Sequence, residues 1–237
     1  MLGLDDWIAT MSAGGSVVAV LLVAVLLGLR HATDPDHIAA MATLVVSGRD
    51  RAASSAARLG AWWGAGHAVT LVLFGVPILL WERLLPERVQ QGAETAVAAL
   101  IVFLGARLVV RWWHGAFAVE ARQAHDHEHR HQHHHPVRTP AGAFGVGLVH
   151  GIGGSAGVGL LLLAAIPSHG VAILALLVLA LFTAVSMTAV TAGLGRTLTA
   201  RPVATASNAL VPALGTMSLA FGVWYAAAAW SLAPYPF

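Results

Sequence analysis

Two histidines and two aspartates lie close together in an otherwise apolar part of the sequence. The stretch GLRHATDPDHIAAM, residues 28 to 41, contains His31, Asp34, Asp36 and His37, and apolar runs flank it on both sides. Ionisable groups at bilayer depth cost about 2.5–3.5 kcal/mol each on insertion scales and are functional by default. Imidazole and carboxylate without sulfur suit a divalent metal such as Ni(II), Co(II), Zn(II) or Mn(II), and imidazole favours the first three.

A helix break is needed to bring these groups together. On an unbroken helix His31 and His37 would point about 120° apart. Pro35 cannot donate a backbone hydrogen bond and disfavours the α conformation at Asp34. We therefore expect a break at 33–36 that turns the four side chains towards one point, as in the broken helices of transporters. The alternative is that the aspartates only pair with Arg30 or cap the broken helix.

The composition predicts an all-α integral membrane protein. The chain has 237 residues, of which 57% are hydrophobic and only 10% are charged, whereas soluble domains carry about 25% charged residues. It contains no cysteine, and all 13 basic residues are arginines. The absence of lysine excludes a Walker A phosphate loop, and the small arginine excess does not indicate nucleic-acid binding.

Six segments are long and apolar enough to span a bilayer, which takes about 20 residues. Arginines concentrate in the first, third and fifth connecting loops. The positive-inside rule therefore predicts a multi-pass protein of the cell (inner) membrane with these loops in the cytoplasm and both termini outside. The six segments are 16–46, 60–81, 93–113, 141–166, 170–192 and 208–232.

An internal repeat divides these segments into two sets of three. GLRH, which ends at His31, recurs as GLVH, which ends at His150. His67 follows the first motif and Ser186 follows the second, in both cases 36 residues later. Two halves with an odd number of helices have opposite orientations, which is the inverted-repeat plan of secondary transporters.

A histidine-rich loop joins the two halves. We assign residues 1–113 to the first half, 114–140 to the loop and 141–237 to the second half. The tract HDHEHRHQHHH, residues 125–135, holds seven of the 13 histidines. Such tracts bind divalent metals loosely without a fold, so a cytoplasmic metal buffer or sensor is expected; a dispensable solvated linker is the alternative.

Three motifs resemble the nickel/cobalt transporter family. RHATDPDHIAA is similar to that family's signature, His-x4-Asp-His on a metal-selecting helix, and WWGAGHAVTLVLFG, with Gly66 and His67, is similar to its second motif. GLVHGIGGSAGVGLLLLAAI resembles the six-helix branch related to urease accessory membrane proteins and departs from the acidic motif of eight-helix members. The resemblance implies that His31, Asp36 and His37 select the metal and that His67 lies beside them.

Further candidates lie outside those motif positions. Asp34 is not part of the signature spacing but could be a ligand or support one, and His150 is expected on the metal pathway because it repeats the position of His31. His67 taken alone could equally be a core histidine. Ser186 is expected to serve packing, and Glu94 to flank the third helix, with a role in metal entry as the alternative.

The predicted function is secondary transport of Ni²⁺ or Co²⁺, with uptake as the expected direction. The protein is expected not to be an enzyme and to hold no cofactor. A membrane potential is worth about 2.3 kcal/mol per charge per 100 mV, which supports roughly thousandfold accumulation of a divalent ion. The partners are then the bilayer, the metal ion and a cytoplasmic metallochaperone. The alternatives are metal efflux, an integral-membrane metalloenzyme and a non-transporting metal sensor or chaperone.

Overall fold

The described part of the protein is entirely helical. The computed structural model describes residues 4–46, 53–81, 86–115, 139–151, 153, 166–199 and 207–234. These ranges form seven α-helices and contain no β-strand. The helices are α1 Leu4–His31, α2 Pro35–Val46, α3 Ala53–Trp81, α4 Glu87–Trp113, α5 Pro140–His150, α6 His169–Thr199 and α7 Ser207–Ala229.

Four helices are long and apolar enough to cross a membrane singly: α3, α4, α6 and α7. The pair α1 and α2 meets the same criterion as one bent span, with an angle of 47° between its two parts. Helix α5 has 11 residues, and most of the apolar segment that follows it lies outside the described residues, as does the histidine-rich tract. The predicted all-helical class is confirmed, with four or five candidate spans in the described ranges.

The helices extend beyond the apolar segments that the sequence marks. Helix α3 begins at Ala53, not residue 60, and α6 continues to Thr199, past the predicted end at residue 192. An apolar segment reports only the part of a helix that fits the hydrocarbon core. The helix itself continues into the interface, because there it still satisfies its backbone hydrogen bonds internally.

The first span is broken where the sequence predicts a break. Helix α1 ends at His31 and α2 begins at Pro35. A tight turn closes the end of α1, with the Thr33 backbone N–H donating to the Arg30 carbonyl at 2.8 Å and the Asp34 N–H donating to the His31 carbonyl at 3.2 Å. Proline fits the first position of a helix because no N–H is required there. The break therefore spans residues 32–34, slightly earlier than expected.

The helices pack in pairs along glycine-lined contacts. Helix α3 lies against α6 and α5, α6 also contacts α1, and α4 lies against α7. A Cβ at Gly64 would come within 2.8 Å of the Ala184 Cα, and one at Gly105 within 2.9 Å of the Gly215 carbonyl oxygen. Small residues of this kind let membrane helices approach closely. Large apolar side chains such as Leu73 remain exposed on the outside, as expected of a lipid-facing surface.

Candidate metal centre

Four histidines and one aspartate come together where the broken span meets α3 and α5. His31 is the last residue of α1, Asp36 and His37 lie in the first turn of α2, His67 is in the middle of α3, and His150 ends α5. All five are buried, and only His31 has measurable exposure, 8%. The break supplies three of the five from one span, because it separates the direction of α1 from that of α2.

The potential ligand atoms form two overlapping groups. His31, His37 and His67 each offer one ligand atom within 4.8 Å of the other two. Asp36, His37 and His150 meet the same criterion. His37 belongs to both groups, and its ring centroid lies 4.6 Å from that of His31 and 4.4 Å from that of His150.

The Asp36 carboxylate links two imidazoles and sets their orientation. Its Oδ1 lies 2.9 Å from His37 Nδ1, and its Oδ2 lies 3.1 Å from His150 Nε2. An ionised carboxylate only accepts hydrogen bonds, so both imidazoles donate to it. A neutral imidazole that donates from one nitrogen carries a lone pair on the other. His37 Nε2 and His150 Nδ1 are therefore available as ligands.

Three ring nitrogens in the cluster have no hydrogen-bond partner among the described residues. They are His37 Nε2, His67 Nδ1 and His150 Nδ1, and all three are buried. Buried polar atoms without a partner are uncommon, and each one needs an explanation. A bound cation would satisfy them, because a neutral imidazole nitrogen is the commonest protein ligand for transition metals.

The two closest ring nitrogens of the cluster are placed so that both could bind the same ion. His31 Nε2 and His67 Nε2 lie 3.0 Å apart, a distance at which one imidazole donates to the other when no metal is bound. An ion about 2.1 Å from each nitrogen would see the two at roughly 90°. Octahedral and square-planar ions use that angle, and Ni(II) adopts square-planar or tetragonal sites.

Asp34 lies beside the cluster and belongs to neither group of ligand atoms. Its Oδ2 is 3.4 Å from His31 Nδ1, and its Oδ1 is 3.7 Å from the Arg30 guanidinium. The pairing with Arg30 that the sequence left open is thus present. With Nδ1 facing Asp34, the ring of His31 directs Nε2 towards His67.

Trp63 completes the wall of the cluster and was not anticipated. Its fully buried ring lies stacked against that of His37, with centroids 6.2 Å apart and planes 15° apart. It meets the ring of His150 edge-on at 5.5 Å. The sequence held a signal, because Trp63 precedes His67 by four residues and so lies on the same face of α3.

Glycines bring α5 against the backbone of α3 and so place His150. A Cβ at Gly147 would overlap the Trp63 carbonyl oxygen and lie 2.9 Å from the His67 backbone nitrogen. A Cβ at Gly66 would overlap the Phe144 carbonyl oxygen. The two helices therefore touch through their backbones, the closest approach that small residues permit.

Two other candidates from the sequence have different contacts. The Ser186 hydroxyl donates to the Leu29 carbonyl at 2.7 Å, which is a packing interaction between α6 and α1. Glu94 is buried in α4 and accepts a hydrogen bond from Gln90 at 2.9 Å. Neither side chain is part of the two ligand groups.

Comparison with known proteins identifies the family. The family model described as "High-affinity nickel-transport protein" matches residues 17–152, more than half of the chain. Urease accessory protein UreH of Bacillus sp. (strain TB-90) is 28% identical over 217 residues, covering 88% of this chain and 91% of that protein. The Arabidopsis thaliana chloroplast protein FOR GROWTH AND FERTILITY 1 is 39% identical over 79 residues, 33% of this chain and 21% of that protein. No solved structure matches the chain. The chain, with its membrane-spanning helices and buried imidazoles, therefore belongs to the high-affinity nickel-transport protein family.

Proposed function

We propose that this protein is a secondary transporter that takes up a divalent metal ion, with Ni²⁺ as the first candidate and Co²⁺ as the second. The ion passes through the buried cluster formed by His31, Asp36, His37, His67 and His150. The observation that carries the proposal is the set of three buried ring nitrogens without partners. The imidazoles that carry them lie within ligand distance of one another in two groups of three, one of which includes Asp36, among helices that can span a membrane. Asp34 assists by orienting His31.

The chemistry of the cluster suits a cation that must lose its water. Moving a divalent ion into a medium of low dielectric constant is very costly unless ligands and opposite charge replace the water. The cluster offers four buried imidazoles whose ring nitrogens can replace water as ligands, and Asp36 supplies negative charge. The absence of a thiolate sets it apart from sites that favour soft ions such as Cu(I).

The proposed architecture has six spans in two inverted three-helix halves, and helix packing supports it. Gly28 of the GLRH motif meets α6, where a Cβ would lie 2.7 Å from the Leu179 carbonyl oxygen. Gly147 of the GLVH motif makes the equivalent approach to the Trp63 carbonyl on α3. Each motif helix thus packs against the second helix of the other half, as a twofold relation requires.

Interhelical hydrogen bonds follow the same pattern. The leucine two residues before each motif histidine offers its carbonyl to a hydroxyl of the other half. Leu29 accepts from Ser186 at 2.7 Å, and Leu148 accepts from Thr70 at 3.0 Å. The remaining span in this proposal, the fourth along the chain, comprises α5 and the apolar residues that follow it.

The proposed orientation places both termini outside and loop 114–140 in the cytoplasm. It rests on the arginines of the odd-numbered loops and the positive-inside rule. The histidines of 125–135 would then meet the ion after it crosses and hold it loosely. A cytoplasmic metallochaperone could collect it there.

Uptake into proteoliposomes tests the proposal. Full-length protein is reconstituted, an inside-negative potential is imposed, and accumulation of Ni²⁺, Co²⁺, Zn²⁺ and Mn²⁺ is measured separately. We expect Ni²⁺ or Co²⁺ to accumulate above its outside concentration and this accumulation to cease when the potential is abolished. Absence of flux at either polarity of the membrane potential would overturn the proposal of transport. Outward metal flux that occurs only when protons move inward in exchange would identify an exporter.

A further inference from the structure

We infer that the transported ion binds in two overlapping positions in succession and that His37 is the ligand common to both. The first position is formed by His31, His37 and His67, and the second by Asp36, His37 and His150. This inference rests on the proposed transport function and adds an intermediate step to it. The second position involves α5, which the family's first motif does not include.

The arrangement of the rings supports two positions over one. The centroid of His37 lies 4.4 Å from that of His150 and 5.2 Å from that of His67. The centroids of His67 and His150 are 6.2 Å apart. The ring of His37 is therefore closer to those of His67 and His150 than these two are to each other. Among the described residues, two groups of three have ligand atoms close enough to share an ion, and His37 belongs to both.

The two positions differ in chemistry. The first offers three neutral imidazoles, whereas the second replaces one imidazole with the Asp36 carboxylate. In the absence of metal that carboxylate accepts hydrogen bonds from His37 and His150. Asp36 thus neutralises part of the ion's charge at one position and orients the imidazoles when the ion is at the other.

An exchange of this kind solves a problem that every ion pathway faces. A single site that binds tightly enough to select a metal releases it slowly, whereas several adjacent sites allow the ion to be both bound and passed on. By retaining His37 while other ligands change, the ion would stay coordinated throughout the step. It therefore never meets the low-dielectric interior without ligands.

A double-mutant cycle on Ni²⁺ binding tests the two positions. The full-length chain is used with the seven histidines of 125–135 replaced by glutamine, so that only the cluster binds. His67→Ala removes the first position and His150→Ala the second. We expect the double variant to lose at least tenfold more affinity than the product of the two single losses, because each single variant retains one position. In a single site containing all the ligands, each single variant would already lose most of the affinity, and the double variant would lose no more than the product of the two single losses.

The transport rate gives an independent readout. If the ion must visit both positions, His150→Ala lowers the Ni²⁺ flux at least tenfold while its Ni²⁺ dissociation constant stays within about fivefold of the parent value. Asp36→Asn keeps the shape of the side chain and replaces His150→Ala in the cycle if that variant does not fold. Multiplicative losses, or a His150→Ala flux that falls only as far as its affinity, would overturn the two positions. They would leave transport itself intact, whereas failure of the parent chain to bind or move Ni²⁺ would contradict the proposed function.

Discussion

Gly147 is the point of closest contact between α5 and α3, and its replacement should damage the metal centre without altering a ligand. In Gly147→Ala the new Cβ would overlap the Trp63 carbonyl oxygen and lie 2.8 Å from Trp63 Cδ1, whereas ordinary contacts begin at 3.4 Å. The helices must therefore separate, which is the kind of backbone shift that overpacking forces. The bond of 3.1 Å between His150 and Asp36 would then be stretched or broken.

The cost of that separation sets the expected size of the effect. Overpacking a close contact costs about 1–3 kcal/mol, and every 1.4 kcal/mol changes an equilibrium constant about tenfold. We expect Gly147→Ala to weaken Ni²⁺ binding by about 10- to 100-fold, because the new Cβ meets the Trp63 and His67 backbone and so displaces His67 as well as His150, which disturbs both positions of the ion. The assay is calorimetric titration of the purified protein with the histidines of 125–135 replaced by glutamine.

Gly145 provides a matched control on the same helix. A Cβ at this position has no atom within 4 Å, so Gly145→Ala should bind Ni²⁺ within about twofold of the parent protein. Equal losses in the two variants would mean that alanine in α5 affects the helix generally. Unchanged binding in Gly147→Ala at equal abundance would refute the argument that backbone contact positions His150.

Two further outcomes follow from the sequence and the contacts. Deletion of 125–135 should change apparent affinity or regulation and leave substantial flux, since the tract lies outside the apolar segments; complete loss in a well-inserted deletion would make the tract part of the pathway. Ser186→Ala should lower thermal stability by about 0.6–1.7 kcal/mol, the worth of an interhelical hydrogen bond in a membrane, with Ni²⁺ affinity retained; a loss of binding in a folded variant would give Ser186 a role in the site.

Local chemistry explains what the sequence predicted well. The break follows from Pro35, whose effects on its own backbone and on the preceding residue act within a few positions. The apolar segments follow from the thickness of the bilayer. The family resemblance, carried by the motif around His31 and His37 and by Gly66–His67, was also available from residues alone, and the family match confirms it.

The contacts between distant segments were harder to predict. That Asp36 would reach His150, 114 residues away, depends on how α5 lies against α3. That approach depends in turn on glycines, which leave little mark in a sequence with 25 of them. The repeat suggested a role for His150 but gave no partner. Asp34 stays a predicted ligand or support of one, because spacing alone does not tell which side of a break a side chain faces.

The central claim is that the ion crosses through the buried cluster, and Ni²⁺ flux through His37→Ala tests it most directly. His37 is fully buried and is the only residue shared by both groups of ligand atoms in the described ranges. His114→Ala, at an exposed histidine directly after the end of α4, is the matched control. Under an inside-negative potential, we predict that His114→Ala transports Ni²⁺ at the parent rate and that His37→Ala, at equal abundance in the liposomes, transports none. Parent-level flux in His37→Ala would contradict the account.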